Sequence, residues 1–185
     1  MAYKNGTYIA FHADGTNVPT ESDIKYYNLM KAWTAKEDDD FSMINSHDKT
    51  AAVRDSSLKE TLKKRLKERL SNSKHMVLII GDTTKNDKDW VPFEIEYAID
   101  TCDIPIIVAY TGEEYILDAK KNWNKLPQAL KDRINNGTAS CIHIPFKKEP
   151  LKDAISQFSH KDKPKGGGLG IYSEEAYKNF GISTK

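Results

Sequence analysis

Cysteine is scarce in this chain of 185 residues, with Cys102 and Cys141 the only two. Both lie inside apolar runs far apart in sequence, so the paired spacing used for zinc or dithiol exchange is missing and a disulfide or metal role is the minority reading. No cofactor and no metal is expected. Long hydrophobic runs are also missing: nothing approaches the roughly 20 apolar residues that span a bilayer. The opening Met1-Ala2-Tyr3-Lys4-Asn5-Gly6 lacks the apolar core of a secretory signal, so a cytoplasmic protein with no membrane partner is expected. Charge of one sign is not in excess, because 28 Lys and Arg face 27 Asp and Glu, and this removes the electrostatic case for nucleic acid. The basic segment Lys59 to Arg69 is interrupted by Glu60 and Glu68 and reads as a solvated helix face. Gly166-Gly167-Gly168 and Gly170 follow no apolar strand and precede no Lys-Ser or Lys-Thr, which excludes a phosphate-binding loop. No internal repeat is apparent.

What is present is an alternation of short β-branched or aromatic runs with longer amphipathic ones, the pattern of a parallel sheet covered on both faces. The strands fall at Thr7 to Phe11, Phe41 to Ile44, Met76 to Ile80, Ile104 to Tyr110 and Ser140 to Ile144. The third and fourth are continuously apolar and belong at the centre; the second is weak and peripheral. Leu58, Leu62, Leu66 and Leu70 form one helical stripe, and Ile24, Tyr27, Met30 and Trp33 another. Val91, Ile95, Ala98 and Cys102 form a third, Leu126, Leu130 and Ile134 a fourth, and Leu151, Ile155 and Phe158 a short fifth. Length and pattern predict one α/β domain over residues 1–160, a doubly wound five-stranded parallel sheet in the order 2-1-3-4-5. Residues 161–185 read as a Gly/Lys-rich linker and a tail, disordered or docked on a partner.

That order opens a crevice at the carboxyl ends of the first and third strands. His12, Asp14 and Gly15 follow the first strand, and Gly81, Asp82, Thr83 and Thr84 follow the third, leading to Asp89-Trp90-Val91-Pro92-Phe93-Glu94. Pro92 fits only a first helical turn, so a helix starts near Asp89 and Glu94 sits near its positive end, at the border of the buried stripe. Taken alone, Glu94 reads as a dipole-matched surface residue and Trp90 as packing, while His12 is as readily a loop histidine as a contact. Asn45, His47 and Asp48, after the second strand, are ordinary turn formers as well as candidate contacts.

The spacing Trp90-Val91-Pro92-Phe93-Glu94, after an apolar strand and a polar loop, resembles the Trp-x-x-x-Glu element of NAD-cleaving TIR domains. With Ala10-Phe11-His12 closing the first strand and Trp90 to Ile95 after the third, the chain is similar to the bacterial TIR-like proteins of the Thoeris antiphage system over roughly residues 7–110. The resemblance implies cleavage of the bond between nicotinamide and ribose in NAD, a substrate here and not a cofactor, with Glu94 as the catalytic carboxylate. With NAD as the substrate, Phe11, His12, Asp14, Asn45, Asp48, Asp82 and Trp90 are the candidate substrate contacts, by their place around the crevice. The resemblance further implies a cyclic ADP-ribose product that activates a separate effector protein, and self-association through the domain. Two other readings compete. One is a TIR-type scaffold without turnover. The other is a receiver-like phosphotransfer domain using Asp14, Asp82, Thr111 and Lys147, against which stand the missing acidic pair beside Asp14 and the displacement of Asp82 past Gly81.

Overall fold

The computed structural model describes residues 4–13, 22–34, 43–44 and 56–185. Its centre is built from the two runs that carry the most apolar side chains. Strand β3 (Ser73–Ile80) and strand β4 (Ile106–Tyr110) pair in parallel, Met76 opposite Ile106 and Ile80 opposite Tyr110. Residues 76–80 and 106–110 are all buried, as expected of strands covered on both faces. Strand β1 (Gly6–Ala10) pairs with β3, β2 (Met43–Ile44) with β1, and β5 (Cys141–Pro145) with β4, every pair parallel. The order 2-1-3-4-5 is therefore present, with a two-residue strand β6 (Gly170–Ile171) added beyond β5. Of the peripheral second strand expected from Phe41, only Met43 and Ile44 lie within the described residues.

Alternation along the strands sends side chains to two layers. On one side, Tyr8, Ala10, Leu78, Ile80 and Val108 meet helix α2 (Ser56–Ser71) through Leu62, Leu66 and Leu70, α3 (Trp90–Glu96) through Val91 and Ile95, and α4 (Gln128–Asn135) through Leu130. On the other, Ile9, Phe11, Val77, Ile79 and Ile107 meet α1 (Ile24–Thr34) and α5 (Lys148–Gln157). Helix α3 passes into a π-helical turn, Tyr97–Thr101, and Ala98 and Cys102 are buried along with Val91 and Ile95. Asp103, with φ of 51°, then turns the chain toward β4.

The segment after Lys161, expected as a linker and a tail either disordered or docked on a partner, packs against the chain's own sheet. Its Gly168 carbonyl accepts from His143 Nε2 at 2.8 Å, β6 extends the sheet, and α6 (Glu174–Asn179) brings Tyr177 to 0 % exposure in the second layer. Sequence pattern misses this docking because the anchors are a backbone carbonyl and isolated aromatics, which carry no periodicity. Both cysteines are free thiols and buried.

Candidate active site

The loop after β3 fixes where α3 begins. Asp87 Oδ1 accepts from the amides of Asp89 at 2.9 Å and Trp90 at 2.8 Å, meeting two donors that a helix start leaves unpaired. Pro92 occupies the first turn, as its missing amide requires. One turn past Trp90, Glu94 lies deeper than the border position expected of it: its exposure is 0 %. Its side chain runs under β1, where the Tyr8 hydroxyl donates to Oε1 at 2.5 Å. A dipole-matched surface glutamate would be solvated. This carboxylate instead bears the desolvation that costs a buried anion several kcal/mol unless hydrogen bonds offset it, about 1.5–3 kcal/mol for each bond to a charged group. Burial, then the Glu94 charge, push the Tyr8 hydroxyl well above its ordinary titration range, so it stays a donor at every working pH.

A second polar group gathers at the carboxyl ends of β1 and β3. His12 Nδ1 lies 3.0 Å from Thr83 Oγ1. The Thr84 hydroxyl donates to Asp23 Oδ2 at 2.9 Å and receives the Gly81 amide at 2.8 Å. Asp23 is 5 % exposed, and burial raises its carboxyl from the ordinary value; Thr84 and His12 oppose that rise and the like charge of Asp82 adds to it. Gly81 leaves room for Asp23, since a Cβ there would lie 1.9 Å from Asp23 Oδ1 and the carboxylate would have to move. Ser22, Asp23, Asp82, Thr83 and Thr111 line a cavity of about 120 Å³ at this edge. That is smaller than the roughly 150 Å³ site that takes benzene and too small for a dinucleotide.

The expected residues thus divide. His12 and Asp82 are brought together in the crevice, with Asp23 as a member that sequence reasoning passed over. Its signal was the pair Ser22-Asp23 before the α1 stripe, the signature of a helix start. Trp90 is half-buried at the rim of the first layer, with Lys59 Nζ 5.6 Å from its ring centroid. Phe11 lies in the opposite layer at 1 % exposure, stacked on Tyr27 at 5.3 Å. Asp14, Asn45, His47 and Asp48 fall outside the described residues. Lys147, offered by the receiver-like reading, pairs with Glu114.

A parallel sheet ordered 2-1-3-4-5, polar side chains at the ends of β1 and β3 and a carboxylate in the helix after β3 define a doubly wound α/β domain of the flavodoxin-like and TIR-like type. Residues 8–116, more than half of the chain, match the family model of the Thoeris protein ThsB, TIR-like domain, and the chain belongs to that family. Membership supports a role in Thoeris antiphage defence. Among the described residues, no helix is long and apolar enough to cross a membrane.

Proposed function

We propose that this protein cleaves NAD at the nicotinamide–ribose bond as its part in Thoeris defence. The observation that carries the reading is Glu94, a wholly buried carboxylate in the first turns of α3 that receives the Tyr8 hydroxyl. The C–N bond breaks with its electron pair passing to the pyridinium nitrogen, so nicotinamide leaves neutral and the ribose becomes oxocarbenium-like. A fixed anion beside that ribose stabilises the positive charge as it forms, and a dry setting strengthens the effect. Water then captures the sugar to give ADP-ribose and a proton, or a nucleophile within ADP-ribose closes a cyclic product for a separate effector protein. In this reading His12 and Asp82 would meet the substrate from the carboxyl ends of β1 and β3, and Trp90 would offer a face for a base. Because Glu94 is enclosed, the side chains over it must move before NAD reaches it, which agrees with an enzyme that waits for a trigger or for self-association.

The test is Glu94→Gln, which keeps the volume and still accepts from Tyr8. With NAD and lysate from phage-infected cells, turnover should fall at least about 100-fold, the usual cost of removing one transition-state charge partner, while thermal melting stays cooperative. Undiminished turnover by the variant overturns the reading. Separation of the wild-type products by mass and retention distinguishes a cyclic signal from free ADP-ribose, and no product from either state of the lysate points to a scaffold.

A further inference from the structure

We propose that Tyr8 is a positioning residue for Glu94, fixing the rotamer and the ionised state of the carboxylate; this rests on the reading of Glu94 as the group facing the reacting ribose. The inward positions of β1 toward α2 and α3 are Tyr8 and Ala10. Phenylalanine would fill the first as well by volume, so packing alone gives no reason for a phenol at a site with 0 % exposure. A buried hydroxyl needs a partner, and this one has Glu94 Oε1 at 2.5 Å, supplied from a strand 86 residues away in sequence. β1 is itself held between β2 and β3, so the donor is mounted on the sheet and not on a loop. Donation to one carboxylate oxygen favours the anion over the acid and sets the plane of the group, which directs the second oxygen. Burial of the phenol means that the proton stays on Tyr8 while it does this. Arg69, whose charge acts on the Tyr8 hydroxyl in the opposite sense to Glu94, adds a cation to the same buried group.

The experiment is Tyr8→Phe, measured in the full chain beside the wild type and Glu94→Gln, with NAD in infected-cell lysate from pH 5 to 8. Loss of the bond should lower kcat about 10- to 100-fold, with KM changed less than about threefold, as for a hydrogen bond to a charged group. The acidic limb of the profile should move to higher pH, a change that lost packing does not produce. A profile superimposable on the wild type, or a uniform loss with the limb unmoved, overturns the proposal. A melting cycle reads the coupling without turnover. Tyr8→Phe should lower Tm by about 3–12 °C in the wild type and by much less in a Glu94→Leu background. Equal drops in both backgrounds also overturn it. If Glu94→Gln keeps full turnover, the NAD reading falls on that result alone, and the melting cycle still decides whether Tyr8 governs the carboxylate.

Discussion

At the scale of single residues, several buried polar groups of the described chain stand in pairs whose chemistry fixes their protonation. His75, 0 % exposed on β3, has Nδ1 2.6 Å from the Phe158 carbonyl and Nε2 2.7 Å from the Thr7 hydroxyl. A carbonyl can only accept, so Nδ1 carries the proton, Nε2 accepts from Thr7, and the ring is neutral. Burial depresses its titration to about 4, and burial lowers that of His143 as well. The native state therefore refuses a proton that the unfolded chain takes up near pH 6.5. Stability from His75 is whole above that pH and is lost progressively as pH falls toward 4, by about 3 kcal/mol if the full difference is realised. Asp23 works in the opposite sense, since its raised carboxyl protonates more readily when folded. Asp100, held low chiefly by the hydrogen bond from Arg133, acts only below the ordinary carboxylate range. Urea denaturation between pH 7 and 4.5 should show a steep loss in the wild type and a flatter profile, from a lower starting point, in His75→Leu. An unchanged slope in that variant would remove His75 as the cause.

Elements place these residues, and α3 does most for the candidate site. Its first turn is pinned by Asp87, which receives the Asp89 and Trp90 amides. Asp87→Ala should cost about 1 kcal/mol, a lowering of Tm by about 2–4 °C. It should also cut NAD turnover, because Glu94 rides one turn beyond the freed amide; Asp87→Asn should restore both, and full activity in the alanine variant would separate the cap from the site. Much of this element was legible in the sequence. Val91, Ile95, Ala98 and Cys102 form one buried line as their spacing predicted, and Pro92 located the helix start. The π-helical turn within that line was not legible, since the 4-3-4 spacing of the apolar positions is that of an ordinary α-helix. Nor was the depth of Glu94, because its position at the edge of the stripe says which face it borders and not that a phenol on β1 reaches it. Periodicity reports faces of one element; contacts such as Tyr8 with Glu94 and His12 with Thr83 depend on how elements meet.

Across the whole molecule, the segment that matches the family model ends at residue 116, while the layers around it are completed by the C-terminal third of the chain. β2 to β4, Glu94 and all of β1 but Gly6 and Thr7 lie within the match, whereas β5, β6, α5 and α6 lie beyond it. The later part covers the central strands: Ile142, Ile144, Leu151, Ile155, Tyr172 and Tyr177 join Val77, Ile79 and Ile107 in the second layer. Residues 161–185 are tied in at several points. The Tyr177 hydroxyl donates to the Ile116 carbonyl and accepts the Ile116 amide, each at 3.1 Å, and the Tyr172 hydroxyl donates to Asp153 Oδ2 at 2.5 Å. Gly170 approaches the Cys141 carbonyl so closely that a Cβ would lie 2.5 Å from it. Deleting residues 161–185 would strip two buried tyrosines, worth about 3–6 kcal/mol together at roughly 1.5–3 kcal/mol each, and would leave His143 Nε2 without its carbonyl. That is a large part of the roughly 5–15 kcal/mol that holds a domain together, so the shortened chain should melt at least about 6 °C lower or lose cooperative melting. Tyr177→Phe, which keeps the ring and removes only the bridge to Ile116, should lower Tm by a few degrees, about 1–2 kcal/mol. Unchanged melting of the shortened chain would mean that the tail is appended to a finished domain. A loss that spares Tyr177→Phe would place its contribution in apolar burial and not in the hydroxyl.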